Sequence, residues 1–238
     1  MHLHIISETR SGSSCLAEIY SNNGYKIIEE HEWACMASWN GHKKTIPEIE
    51  EILEQIETST EPIVFKNHWV DIERRLKDFP LIKERLYNLK AKKLCLLRRN
   101  KLEHGLSRCY SSETKHTHNI YRHDMPKTRA KIEIPINRFN KTIEGTIQEF
   151  KAFLNWAKSY GDEIVFYEDL TFPSNTIEQQ IHPYSELITN LPELIDSYYN
   201  LTEPPPKPKL KSILTKDLIG VPELTEAYKN GTRVDVRF

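Results

Sequence analysis

The chain has 238 residues, 38% of them hydrophobic and 28% charged, enough for one α/β core with a small appendage. Its 33 Lys and Arg against 34 Asp and Glu leave a net charge of −1, which argues against nucleic-acid backbones as partners and makes any anion site a local one. No apolar run approaches the roughly 18 residues of a membrane span, and the N-terminal "MHLHIISETR" lacks the pattern of a secretory signal, so a cytoplasmic protein without a membrane anchor is expected.

Taken in chain order, five apolar runs bounded by polar turns predict strands: "HLHIIS" (2–7), "YKIIEE" (25–30), "EPIVFKNH" (61–68), "KKLCLLRR" (92–99) and "DEIVFYEDL" (162–170). Helical patterns fall between them, at 14–23, 46–59, 69–90, 100–113 and 140–161. In the last, Ile143, Ile147, Phe150, Phe153, Leu154 and Ala157 recur at three- and four-residue spacings, and Gly161 stands where a C′ glycine would close the helix. Strands alternating with helices predict a three-layer α/β/α domain with a mainly parallel central sheet over 1–202. Residues 114–140 lack a helical period and predict a loop or lid. A Pro-rich linker is expected over 203–211, followed by a short tail over 212–238 that docks on the core or on a partner. The cysteines Cys15, Cys35, Cys95 and Cys109 have no CxxC or Cys/His spacing, so reduced thiols are expected and no metal site.

The joint between the first strand and first helix reads "TRSGSSCL". A small-residue turn there directs backbone N–H groups at one point, and the positive end of the helix dipole adds to them, so the turn suits a phosphate or similar anion. Gly12 would permit close backbone approach, Ser11, Ser13 and Ser14 would add hydroxyl donors, and Arg10 would bring positive charge. Ser and Gly also cap helices with no further role, and the turn alone leaves both readings open. The Walker A pattern GxxxxGK[ST] is absent, which disfavours an ordinary nucleotide triphosphatase.

Further candidates stand at or just after later strand ends, where ligands gather in open parallel sheets. Lys66 and His68 alternate at the end of "VFKNH", hence on one side of an extended backbone, as a charge stabiliser and a general base would need. Arg99 and Ser107 lie eight positions apart in "LLRRNKLEHGLSRCY", the arginine at a helix entrance and the serine two turns along, and could hold two sides of one phosphate. Glu168 and Asp169 follow the last strand, where they suit a helix cap or a partner for a basic side chain.

In this order the motifs resemble those of the sulfotransferases that use 3′-phosphoadenosine 5′-phosphosulfate (PAPS). "TRSGSSCL" is similar to their 5′-phosphosulfate loop, "LLRRNKLEHGLSRCY" to their 3′-phosphate motif with its arginine-to-serine spacing, "FKNH" to a KTH stretch and "FYEDL" to a late YEDL. The resemblance spans roughly residues 1–172, apart from 115–140. It implies a P-loop-like sulfotransferase fold and a sulfuryl donor, PAPS, whose product is 3′-phosphoadenosine 5′-phosphate. Arg10 and the backbone of Ser11, Gly12, Ser13, Ser14 and Cys15 would hold the 5′-phosphosulfate, and Arg99 and Ser107 the 3′-phosphate. Lys66 would stabilise the transfer and His68 would take the acceptor's proton, with Glu32 the rival base, since other branches of the family use a glutamate. No metal is implied. The polar and basic 115–131 region suits a small-molecule or carbohydrate acceptor. A C-terminal RKGxxGxWK pattern is missing. Two alternatives stand beside the enzyme: a catalytically degenerate nucleotide-binding protein on the same fold, and an atypical P-loop nucleotide kinase.

Overall fold

A computed structural model describes residues 1–28, 46–114, 130–170 and 184–201. The elements run β1 (His2–Ser7), α1 (Ser13–Asn22), β2 (Lys26–Ile28), α2 (Ile46–Thr58), β3 (Ile63–His68), α3 (Trp69–Arg75), α4 (Pro80–Asn88), β4 (Ala91–Leu97), α5 (Lys101–Thr114), α6 (Ile136–Tyr160), β5 (Glu163–Phe166), α7 (Tyr167–Leu170) and α8 (Leu191–Leu201). The fold class is α/β, built on a five-stranded, all-parallel sheet in the order β2-β3-β1-β4-β5. The chain leaves β1 to fill one flank with β2 and β3, then returns to the other side of β1 with β4 and β5. β1 is therefore the switch point, and the ends of β1 and β3 border the crevice such a topology opens.

The chain divides into two compact units. The first comprises Met1–Leu97 with Ala152–Tyr167 and contains the whole sheet. Its central strands read as near-continuous apolar runs because helices cover both faces of a parallel sheet. Ile5, Ile6, Ile63, Val64, Phe65, Leu96 and Leu97 are all fully buried. His4 is one exception to the apolar rule. It is fully buried, its Nε2 lies 2.8 Å from Asn67 Oδ1, and its ring stacks on Phe65 at 4.4 Å. Burial favours the neutral imidazole and drives the pKa down to about 3, with the Asn67 hydrogen bond opposing the shift and the charge of Lys93 adding to it.

The second unit comprises Arg98–Lys151 and the described residues from Glu168 on. It has a core of its own, in which Leu102, Leu106, Phe139, Ile143, Leu191 and Leu194 from α5, α6 and α8 pack together. Gly105 makes that packing possible, since a Cβ there would stand 2.2 Å from Ile143 Cδ1. The Asn190 side chain imitates a strand partner, accepting from Ile134 N–H at 3.0 Å and donating to Ile134 C=O at 2.8 Å.

Several elements differ from the expected ones. The single helix expected over 69–90 is two, because Pro80 has no N–H with which to continue a helix and instead opens α4 at its first turn. α6 begins at Ile136, inside the expected loop, with Phe139 N–H bonding the Pro135 carbonyl at 3.0 Å. β5 stops at Phe166, so "YEDL" forms the helical turn α7 and not the end of a strand. Gly161 does not take the left-handed conformation of a C′ glycine. It is small for another reason: a Cβ there would meet Cys95 Sγ at 2.6 Å and the Ala157 carbonyl oxygen at 2.8 Å. The linker at 203–211, the tail at 212–238 and residues 115–129 lie outside the described residues. Among the described residues no helix is long and apolar enough to cross a membrane.

Candidate functional site

The turn from β1 into α1 is held open by its own backbone. Arg10 has φ 63° and Gly12 φ 84°, and among the described residues Arg10 is the one non-glycine in the left-handed region. Such a conformation costs an L-residue on the order of 1–3 kcal/mol and persists where surrounding contacts fix it. One such contact is the Ser11 hydroxyl, fully buried, which donates to the Glu8 carbonyl at 2.7 Å and ties the turn back on itself. Its proton is thereby committed. The expected hydroxyl donor of Ser11 is turned toward that carbonyl.

Gly12 is the N-cap of α1, and no side chain caps that helix. Leu16 N–H makes the first intrahelical bond, to the Gly12 carbonyl at 3.1 Å. The N–H groups of Ser13, Ser14 and Cys15 precede it, in the positions that helix geometry leaves without an intrahelical acceptor. No acidic residue stands in the first turn, so the positive end of the dipole is not neutralised from within the helix. Tyr167 packs over the glycine so closely that a Cβ on Gly12 would stand 2.7 Å from Tyr167 Cε2.

Lys66 and His68 come to this turn from β3. In the parallel register Ile5 pairs with Lys66 and Ser7 with His68, which puts Lys66, His68 and Ser7 on one face of the sheet. Lys66 is buried, 4% exposed, and its ammonium donates to Ser14 Oγ at 2.9 Å. Two arms of the sheet unit, the first turn of α1 and the end of β3, therefore meet through a cation. His68 is the N-cap of α3, but its ring makes no capping bond. Its Nδ1 lies 3.1 Å from Ser7 Oγ. Ser7 was not singled out from the sequence, although its place as the last residue of the strand before the turn was a usable signal.

The second unit contains the other pair. Arg99 precedes α5, and its guanidinium holds Asp169 through two bonds, 2.6 and 3.1 Å. The backbone N–H groups of Arg99 and Asn100 donate to the two oxygens of Glu168, at 2.9 and 2.8 Å. The entrance of α5 is thus occupied by the carboxylates of "YEDL". Ser107 is buried and donates to the Tyr184 hydroxyl, whose own proton goes to Glu103 Oε1 at 3.0 Å. Burial, reinforced by the Glu103 charge, raises the Tyr184 pKa well above the ordinary phenol value. Arg98, the neighbour of Arg99, is the buried arginine of the pair, 2.8 Å from Glu103 Oε2.

Arg10 to Cys15, Lys66 and His68 therefore belong to the sheet unit, and Arg99 and Ser107 to the other. Glu32 lies outside the described residues. The described residues contain no cluster of His, Cys, Asp or Glu arranged to hold a metal ion. Cys95 and Cys109 are free and buried, and burial with the Asp162 charge pushes the Cys95 thiol up to about 12. No protein-family model and no curated protein matches the chain.

Proposed function

We propose that the protein is a PAPS-dependent sulfotransferase with the P-loop-like fold of that family, acting on a hydroxyl or amine of a small-molecule or carbohydrate acceptor. In the reaction the acceptor oxygen or nitrogen attacks sulfur in line, and the bond from sulfur to the bridging oxygen breaks. That oxygen keeps the electron pair and leaves as 3′-phosphoadenosine 5′-phosphate, while a base takes the acceptor's proton. Positioning and neutralisation of charge carry most of the work in such displacements. Arg10, Lys66 and the N–H groups at the start of α1 would neutralise the 5′-phosphosulfate, and Arg99 and Ser107 would take the 3′-phosphate. His68 and Glu32 are the candidate bases.

The observation that supports this most directly is the turn at Gly12. It combines a left-handed glycine, a helix N-terminus with no acid in its first turn, and the Lys66 ammonium at Ser14. Incubation with labelled PAPS and a mixed acceptor panel tests the activity, and calorimetry with PAPS and 3′-phosphoadenosine 5′-phosphate tests the cofactor. Failure to bind either nucleotide would sink the proposal.

A nucleotide-binding protein on this fold without catalysis is the second reading, and the state of Arg99 bears on both readings alike. Arg99 is engaged by Asp169, and a 3′-phosphate would have to displace that carboxylate. Nucleotide binding without transfer to any acceptor would support the second reading. A nucleotide kinase would instead turn over ATP with magnesium, and the missing GK[ST] counts against that.

A further inference from the structure

Glycine admits several backbone conformations at similar cost, so the turn after β1 does not by itself select the left-handed one that Gly12 adopts at φ 84°. The Ser11 hydroxyl, bonded to the Glu8 carbonyl, ties down the segment before the glycine but not the glycine itself. Tyr167 reaches the remaining residue. It follows β5, the edge strand held on β4 through the pairing of Leu97 with Phe166, and its ring lies against Gly12 on the side where a side chain would project. A Cβ at Gly12 would meet Tyr167 Cε2 at 2.7 Å, Cδ2 at 2.8 Å and Cζ at 4.0 Å, so the nearest atoms that another element contributes all belong to this ring.

We infer that Tyr167 is a positioning residue: its ring holds Gly12 left-handed and so keeps the N–H groups of Ser13, Ser14 and Cys15 in place for the 5′-phosphosulfate before the nucleotide arrives. The ligand named here rests on the sulfotransferase reading, whereas the hold on Gly12 does not. A turn in van der Waals contact with a rigid ring loses conformations that a solvated glycine keeps. The buried Lys66 ammonium, 2.9 Å from Ser14 Oγ, brings positive charge to the same turn. Without the ring the glycine would sample other conformations, and each binding event would first have to order the turn. Fixing the backbone of one residue corresponds to a loss of roughly 5–30-fold in affinity.

The test compares Tyr167→Ala and Tyr167→Phe with the wild type in the full chain. Nitrogen-15 order parameters of the backbone amides read the hold on the turn, and calorimetry with PAPS and 3′-phosphoadenosine 5′-phosphate reads its use. In the wild type the amides of Ser11 to Cys15 should be as ordered as those of Glu18 to Ser21 in the same helix, at about 0.85. Tyr167→Ala should lower the order of the turn alone and weaken both nucleotides by roughly 5–30-fold. Tyr167→Phe, which keeps the ring, should restore both. A merely destabilised fold would not single out the turn from the rest of α1.

Unchanged order at Ser11 to Cys15 in Tyr167→Ala overturns the proposal, and so does lost order with unchanged affinity. A Tyr167→Phe variant that loses as much as Tyr167→Ala also overturns it, because the hydroxyl and not the ring would then be responsible. Should Tyr167→Ala not fold, Tyr167→Leu replaces it, with the same expected and overturning results. If the wild type binds neither nucleotide, the sulfotransferase reading falls, and inorganic sulfate becomes the probe, read by the shifts of the same amides. Weaker sulfate binding in Tyr167→Ala then upholds Tyr167 as the positioning residue of an anion turn, whereas equal binding, or none to the wild type, overturns it.

Discussion

The turns that follow β1 and β4 use one device, a strand running into a helix through a short polar loop with an arginine, and they end in opposite states. After β1 the helix has no acid in its first turn and no side-chain cap. After β4, Glu168 takes the N–H groups of Arg99 and Asn100, Asp169 takes the Arg99 guanidinium, and Glu103 adds an acid to the first turn. A helix N-terminus is therefore a local resource that the chain can spend on its own stability or keep for a ligand. The sequence around an arginine does not say which, because the deciding carboxylates lie about 70 positions away.

The comparison can be broken most severely at Gly12. Gly12→Ala places a Cβ against Tyr167 in a left-handed backbone, and should destabilise the protein by about 2 kcal/mol or more and abolish PAPS binding. Urea unfolding and calorimetry measure the two effects.

Next comes the strand beneath that turn. The folded-state pKa of His4 lies near 3, below the ordinary value of 6.5, so the unfolded chain takes up the proton first. The stability held by neutral His4 is complete above pH 6.5 and is lost as pH falls toward 3, by about 1–2 kcal/mol between pH 6.5 and 5. Denaturant midpoints across that range should show the slope, and His4→Gln should flatten it.

Glu168→Gln weakens the cap on α5 and should cost about 1 kcal/mol of stability, read as a lower midpoint at neutral pH. The smallest effect opens the filled site. Asp169→Asn loosens a partly exposed ion pair worth roughly 0.2–1 kcal/mol, and should tighten 3′-phosphoadenosine 5′-phosphate by up to about fivefold while leaving adenosine 5′-monophosphate unchanged. Weaker bisphosphate binding in that variant would mean that Asp169 orients Arg99 instead of competing for it.

Strand positions and the α/β class were legible because buried parallel strands leave uninterrupted apolar runs such as "IVF" and "LCLL". The alternation of Lys66 and His68 was legible for the same reason, since strand geometry fixes which side chains share a face. The break at Pro80 was legible too and went unused. So was the early start of α6, because Phe139 lies one helical turn before Ile143 and extends the same apolar stripe. What could not be read was pairing across the chain. Ser7 with His68, Asp169 with Arg99 and Tyr184 with Glu103 are separated by 61, 70 and 81 positions, and their proximity follows from strand order and helix packing. The role of Gly161 was hidden likewise, because the atom it makes room for, Cys95 Sγ, belongs to another strand.

The left-handed Arg10 has a consequence for engineering. At φ 63° a glycine would fold with less strain, and asparagine is among the better-tolerated alternatives. A search for thermostable variants guided by backbone preference alone would select Arg10→Gly early, and each success would remove the arginine from the turn. Variants ranked by melting temperature and variants ranked by anion affinity should therefore diverge first at this position, a trade-off confined to one residue.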